Sequence, residues 1–419
     1  MSKIDLDTTS LFAPEVLEDP FAYYQAAIAD RPVMQVPGTN ITLVTGYDLL
    51  AEATGRVEDF SSDFSALLAG QRSADPDVTA ELEKGWPQRN TLLTADPPVH
   101  TRFRKLVNLA FSMKRVDAIE ADIRAIVERL VAAFPADGRI DFVKDFAIPL
   151  PVAVIASQIG IADADGRISD EGIATVKRWS DAFADRLGGM ISKERELECA
   201  REVVEFQHAM KARIDARRAH PTADLLSDLV HAQVEGERPL DDAELLSVIQ
   251  QLMVAGNETT TSTLAGGVLL LIQNPEQEAK VRADRSLIPN MVEEMLRLES
   301  PSAGLWRVVK HDTELGGVTI PGDSMVMLRF AAANRDPSKF ENPDSFDVTR
   351  KNARSHVAFG RGIHMCVGNM LSRKELAVAF GVLFDKIAHF ELAPAADLTH
   401  VPNMLLRGLR RLDLVVQRA

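Results

Sequence analysis

The chain has 419 residues, 46% of them hydrophobic, and a formal net charge of -14 at pH 7. That length and apolar content suffice for a large buried core, while the acidic balance argues against a nucleic-acid partner or adsorption to anionic membranes, both of which need clustered basic residues. Two cysteines make no disulfide framework, and residues 1–9 lack the basic and apolar regions of a secretory signal, so a soluble, cytoplasmic protein is expected.

Residues 33–36 and 41–44 alternate around Pro37-Gly38-Thr39-Asn40 and predict a β-hairpin. Periodicity then predicts helices over 99–111, 114–133 and 149–158, two charged helices between 170 and 218, a long one over 241–273, and another over 288–298. Asp241 or Asp242 can cap the start of the long helix, and Asn274-Pro275 ends it. Short strands are predicted around 305–309, 318–320 and 325–328, and 334–354 reads as irregular and polar. The apolar stretch 264–272 is too short to span a bilayer. No linker or repeat divides the sequence, which reads as a single domain over 1–419, mainly α with small β-sheets.

The densest chemistry lies in Phe359-Gly360-Arg361-Gly362-Ile363-His364-Met365-Cys366-Val367-Gly368. Here a lone cysteine stands behind a glycine-rich loop and at the start of a helix. The apolar positions Leu371, Leu376, Phe380, Leu383, Phe384 and Ile387 mark that helix. Unpaired amides and the macrodipole at a helix N-terminus favour an anion. They make Cys366 a candidate thiolate metal ligand. Gly360 and Gly362 can adopt positive φ and let a flat cofactor approach the backbone, and Gly368 permits similarly close packing. The plain alternative is a buried free cysteine, which is how Cys199, with no motif around it, is read.

A second irregularity is Ala255-Gly256-Asn257-Glu258-Thr259-Thr260 inside the long helix, where Leu245, Ile249, Leu252, Gly256, Thr259 and Thr263 share one face. Glycine, a carboxylate and β-branched residues are poor helix material. Threonine can bond a carbonyl one turn back and open the helix locally, and Glu258 is costly to bury without a partner or a water path. Such local inconsistency marks a functional site.

The cysteine string resembles the haem-binding loop of the cytochrome P450 family, Phe-Gly-x-Gly-x-His-x-Cys-x-Gly, with all six fixed positions present. The resemblance runs from the early hairpin to the C-terminal strands. It implies the cytochrome P450 fold, a single haem-enclosing unit with a helix-rich part and a smaller β-rich part. It also implies haem b, with Cys366 as axial ligand of the iron, Phe359 covering the sulfur and His364 near a propionate. A thiolate donor favours O–O cleavage. The stretch around Gly256 resembles the family's small-Gly-x-acid-Thr motif, in which Gly256 makes room for dioxygen, Thr259 hydrogen-bonds it and Glu258 feeds protons from solvent. By the same resemblance Val254, Ala255, Ala303, Leu305 and Met404-Leu405 line the distal pocket, with 86–93 as a mobile lid. His100 and Arg104, after Asp96-Pro97-Pro98, would clamp a propionate, and Arg307 is a further cation for it. Glu294-x-x-Arg297 alone reads as a surface ion pair. With the segment from Phe340 to Arg350 it resembles the family's structural network behind the haem loop.

The implied activity is that of a haem-thiolate monooxygenase, which inserts one atom of dioxygen into a small-to-medium hydrophobic substrate by hydroxylation or epoxidation. Peroxide-driven members carry Arg-Pro where this chain keeps Glu258-Thr259, which implies electrons from NAD(P)H. The 53 residues after Cys366 are too few for a fused reductase, so an external ferredoxin and ferredoxin reductase are expected. Arg102, Lys105, Arg115, Arg361, Arg373 and Lys374 are expected to form the docking face for an acidic partner. The other readings are a non-catalytic haem-binding sensor or carrier, which needs no proton relay, and a helical interaction protein without a cofactor.

Overall fold

The computed structural model describes residues 4–64, 75–162, 168–188 and 191–419. By their internal contacts they form two units, one of Met1–Ser62, Ile123–Ile148 and Glu258–Ala419, the other of Asp63–Asp122 and Pro149–Asn257.

The second unit contains only helices and loops among its described residues. Its charged helices Asp170–Gly188 and Lys193–Ala219 pack on each other. Trp179 and Phe183 meet Phe206 edge-on there, with ring centroids 5.6 and 5.3 Å apart, a favoured aromatic geometry. The helix predicted over 114–133 is two helices, Met113–Ala118 in this unit and Glu120–Ala132, which passes into the first unit at Ile123, because Ile119 (φ -95°, ψ 2°) leaves the helical basin. The long helix Asp242–Gln273 begins in this unit with a capping box. Asp241 Oδ1 accepts the Glu244 N–H at 2.9 Å, and Glu244 Oε2 accepts the Asp241 N–H at 3.0 Å. The same helix ends in the other unit, where Asn274 Nδ2 donates to the Leu270 carbonyl and Pro275 opens the next helix, Pro275–Ala283.

The first unit carries all the described strands: β1 Val33–Gln35, β2 Ile41–Val44, β3 Phe60–Ser61, β4 Arg139–Asp141, β5 Leu305–Val309, β6 Thr313–Leu315, β7 Val318–Ile320, β8 Met325–Leu328, β9 Ile387–Leu392 and β10 Asp413–Arg418. The main sheet has the order β1-β2-β8-β5-β3, with β2 and β8 parallel and its other pairs antiparallel. A second sheet is β4-β10-β9, and β6-β7 form a hairpin. Strand β8 is buried along its whole length. Val326 and Leu328 enter a core cluster with Val44, Leu50, Phe60, Phe330 and Phe340, while Met327 enters another with Leu11, Tyr24, Leu43 and Ala331. Each such side chain contributes about 1.5–3 kcal/mol by burial, which explains an unbroken apolar run in place of alternation.

Two further helices frame the cysteine loop, Ile288–Glu299 and Asn369–Lys386, and they pack on each other. The long helix passes close to both: a Cβ at Gly267 would lie 2.8 Å from Met295 Sδ and 2.9 Å from Phe380 Cζ. No described helix is long and apolar enough to cross a membrane.

Candidate functional site: the cysteine loop and the long helix

Two left-handed glycines shape the loop, Gly360 at φ 67° and Gly362 at φ 71°. At Gly362 a Cβ would stand 2.7 Å from the Thr54 carbonyl oxygen, so no other residue fits without backbone movement. The loop closes through the Gly360 N–H to Val357 O at 2.8 Å and the Cys366 N–H to Phe359 O at 2.9 Å. The helix itself starts at Asn369, with Gly368 as its N-cap, so Gly368 lies outside the helix and Cys366 precedes the first turn. Asn369 Nδ2 donates to the Cys366 carbonyl at 2.6 Å. Cys366 is half-buried, as are the apolar Val367, Met370 and Leu371 beside it.

The long helix does not open at residues 255–260; it is continuous. The expected back-bonding occurs without a break, from Ser262 Oγ to Glu258 O at 2.8 Å and from Thr263 Oγ1 to Thr259 O at 2.9 Å. Thr261 Oγ1 donates to Ala147 O at 3.0 Å, at the end of the π-helical turn Val143–Ala147. Ala255 is exposed, and Val254, Gly256, Glu258 and Thr259 are half-buried, whereas Asn257 and Thr260 are buried. Positions 255, 258 and 259 share one helical face, so an acid, an alcohol and an apolar methyl line an accessible strip. Glu258 is thus half-buried and not sealed in the core.

Among the propionate candidates, His100 is 2% exposed and Arg104 half-buried one turn on. Burial, and then the Arg104 charge, push the His100 pKa down, which keeps its ring neutral. Arg307, on β5, is buried, with Nη1 donating to the Trp306 carbonyl at 2.7 Å. His364 closes a 3-10 turn, Gly362–His364, and is half-buried.

The predicted pocket wall is uneven. Leu305 is half-buried at the start of β5, but Ala303 is 3% exposed and packs with Met404 against the Leu11, Tyr24 and Met327 cluster. Ala303 is thus a core residue. The segment 86–93, expected as a mobile lid, is stapled down. Trp86 exchanges hydrogen bonds with the Gln207 amide at 2.8 and 3.0 Å, Arg89 N–H donates to Ser247 Oγ at 2.9 Å, and Leu93 N–H donates to Gln251 Oε1 at 3.1 Å.

Glu294, Arg297 and Arg350 come together in the interior. Arg297 forks onto Glu294 at 2.7 and 2.8 Å, and Arg350 Nε reaches Glu294 Oε1 at 2.8 Å. This is a buried network, and the surface-pair reading is wrong for it. The neighbouring Glu293, which sequence reasoning missed, accepts from His356 Nε2 at 3.0 Å and from Arg373 Nε and Nη2 at 2.7 and 3.0 Å. Its only sequence signal is the doubled acid Glu293-Glu294. Arg373, half-buried, is therefore already paired within the protein. So are Arg102, paired with Glu244 at 2.9 Å, and Arg115, bonded to Asp228 at 2.6 Å. Of the expected docking cations, Lys105 and Arg361 are exposed and Lys374 is half-buried.

No group of three or more His, Cys, Asp or Glu residues able to hold a bare metal ion occurs among the described residues. A haem brings its own nitrogen donors and asks the protein for one axial ligand. A single half-buried cysteine on a positive-φ glycine loop, flanked by accessible apolar side chains, fits that demand.

The chain matches the family model described as Cytochrome P450 over residues 196–407. It is 36% identical over 386 residues to 6-deoxyerythronolide B hydroxylase of Saccharopolyspora erythraea, covering 90% of each chain. To the steroid C26-monooxygenase of Mycobacterium tuberculosis it is 39% identical over 357 residues, covering 85% of this chain and 94% of that one. The solved structure of cytochrome P450 CYP109Q5 from Chondromyces apiculatus superposes with a TM-score of 0.85 at 32% identity, covering 99% of this chain and 100% of that one. Identity at this level along nearly the whole length, joined to the cysteine loop, places the protein in the cytochrome P450 family of haem b monooxygenases.

Proposed function

We propose that this monooxygenase inserts one oxygen atom into a small-to-medium hydrophobic molecule, by hydroxylation or epoxidation, with electrons from NAD(P)H delivered by an external ferredoxin reductase and ferredoxin. The observation that carries the reading is the accessible strip of Ala255, Glu258 and Thr259 on the long helix. Bound haem ligated by the Cys366 sulfur supplies the activation of dioxygen.

The chain's own residues do the rest. Glu258 is in contact with solvent and takes up protons there, and the Thr259 hydroxyl, one residue on, passes them inward. An acid beside an alcohol suits the two proton deliveries that a monooxygenase must make. His100 is held neutral and offers an N–H to a propionate, and Arg104 one turn on brings the charge that a carboxylate needs; Arg307 is a separate candidate cation on β5. Phe359 covers the sulfur. Val254 and Ala255 present hydrocarbon to the substrate, and Leu305 is a separate apolar candidate on β5. Support for a hydrophobic substrate comes from relatives named for hydroxylating 6-deoxyerythronolide B and a steroid. A sensor or carrier has no use for the Glu258–Thr259 pair.

The test supplies haem-loaded protein with NADPH, a ferredoxin, its reductase and labelled dioxygen, over a panel of terpenoids, aromatics, steroids and macrolactones. Candidate substrates are those that displace water from ferric iron. One labelled oxygen atom in the product is expected. A bound, reducible complex that yields no labelled product would sink the reading. For docking, Arg361→Glu should slow reduction by the ferredoxin in a salt-dependent way. Arg361 is exposed on the cysteine loop and lies outside the Glu293 and Glu294 networks, and because its Nη1 donates to the Tyr47 hydroxyl at 3.0 Å the melting temperature is followed alongside.

A further inference from the structure

Arg373 stands at the crossing of contacts that reach both ends of the cysteine loop. Its Nε and Nη2 fork onto Glu293 at 2.7 and 3.0 Å, a bidentate geometry that fixes the guanidinium plane. Its remaining terminal nitrogen, Nη1, donates to Asn369 Oδ1 at 2.7 Å. Asn369 Nδ2 in turn donates to the Cys366 carbonyl at 2.6 Å. The guanidinium carbon lies 4.4 Å from the centre of the Phe359 ring, within the range of a cation–π contact. The Phe359 carbonyl accepts the Cys366 N–H at 2.9 Å.

Glu293 closes the other side. Its Oε2 accepts from His356 Nε2 at 3.0 Å, and His356 Nδ1 accepts the Ala358 N–H at 3.1 Å. That second bond settles the tautomer: the proton sits on Nε2 and the ring is neutral. The His356 ring also packs against Phe359, with centroids 5.7 Å apart. The contacts thus form a ring. It runs from Cys366 through Phe359 and Ala358 to His356 and Glu293, and returns through Arg373 and Asn369 to Cys366.

We propose that Arg373 and Asn369 are positioning residues for the cysteine ligand, and that this circuit fixes the backbone from which the Cys366 sulfur projects. The proposal rests on the reading of Cys366 as the haem ligand. The Phe359 bond holds the Cys366 amide and the Asn369 bond holds its carbonyl, so both peptide planes that flank the Cys366 Cα are held when the circuit is closed. Opening it at Asn369 removes one plane without changing any charge. Replacing the guanidinium by an ammonium keeps the charge and loses the fork, because lysine offers a point contact and not a planar one.

The experiment follows the ferrous carbonyl spectrum of haem-loaded Asn369→Ala, Arg373→Lys and Arg373→Ala, with the ferric–ferrous midpoint potential and the melting temperature as companion readouts. Conversion from the thiolate band to the thiol band in mild denaturant should be about ten-fold faster in each variant, the effect of losing one hydrogen bond to an ionic or strongly polar partner. In Asn369→Ala the melting temperature should stay close to wild type while the potential moves. Wild-type conversion rate and potential in both Asn369→Ala and Arg373→Lys overturn the proposal. If the Arg373 variants fail to load haem, Asn369→Ala decides alone. A wild-type protein without the thiolate band is a different failure, since it removes Cys366 as ligand and leaves nothing for the circuit to position.

Discussion

Arg350 Nε meets Glu294 Oε1 at 2.8 Å across 56 residues of sequence, with side chains 8% and 0% exposed. Arg297 shares the same carboxylate, and the spare N–H groups of the two arginines go to the carbonyls of Asn334, Glu341, Asn342, Pro343 and Ser345. Every donor turned inward thus has a partner, which offsets the cost of burying three charges. It also ties the irregular segment before the cysteine loop to the helix Ile288–Glu299. Removing one partner strands a buried charge. Arg350→Ala should lower stability by about 3–5 kcal/mol, read as a fall in the urea midpoint at unchanged slope. A loss below about 1 kcal/mol would mean that the pair behaves as a solvated one.

Glu293 makes a prediction about acid. Burial pushes its carboxyl up, but hydrogen bonds from His356 and Arg373 outweigh that and hold it at about 2, against 4.5 ordinarily. A carboxyl depressed in the folded state adds stability that is fully present above the unfolded value and is lost as pH falls through the folded one. The contribution is about 3 kcal/mol, shed between about pH 4.5 and 2. Glu293→Gln should be less stable at pH 7 and show a flatter decline over that window. Parallel stability–pH curves for the two proteins would contradict this.

Glu375 has the opposite sign. It is buried on the helix Asn369–Lys386, its Oε2 has no hydrogen-bond partner among the described residues, and burial pushes its pKa well up. The folded protein holds the proton while the unfolded chain releases it, so stability falls as pH rises above the unfolded value. Glu375→Gln should be the more stable protein at pH 7, by a margin that grows by about 1.4 kcal/mol per pH unit above the unfolded pKa. The margin should vanish near pH 4. A gap independent of pH would show that the carboxyl is ionised in the fold.

What the sequence reveals divides along the range of the interactions. The capping box of Asp241 and Glu244, the stop at Asn274-Pro275 and the strands at 305–309, 318–320 and 325–328 are local patterns, and the structure has them where the residues predict. The short helices Pro14–Glu18 and Tyr47–Gly55 have too few turns to show a period, and β4 pairs with β10 from the far end of the chain. Charge is the hardest to read. Arg361 and Arg373 look alike in sequence, yet one is exposed and the other is bound to an acid 80 residues away. Glu293 and Glu294 are adjacent and serve two separate networks, because successive helical positions face different neighbours.

For proton delivery, Thr259→Ala should lower product formed per NADPH by about 100-fold or more, with hydrogen peroxide released in its place. Thr259→Ser restores the hydroxyl and should recover most of the yield. Glu258→Gln should leave oxygen binding intact and enlarge the solvent isotope effect on turnover. Unchanged coupling in Thr259→Ala would move proton delivery to another residue.

Two glycines of the long helix separate stability from activity. A Cβ at Gly256 meets nothing within 4 Å, whereas one at Gly267 would press on Met295 Sδ at 2.8 Å and Phe380 Cζ at 2.9 Å. Alanine is the better helix former by about 1 kcal/mol. Gly256→Ala should therefore stabilise the protein by about 0.5–1 kcal/mol, since no contact opposes the gain. The same methyl would stand beside Thr259 on the accessible face, where dioxygen and substrate are proposed to lie, so turnover should fall as stability rises. Gly267→Ala should do the reverse, losing about 1–3 kcal/mol to overpacking with the turnover of the folded fraction unchanged. Melting curves and specific activity, normalised to haem content, read both effects. If Gly256→Ala is both more stable and fully active, the strip around Thr259 is not the wall of the site.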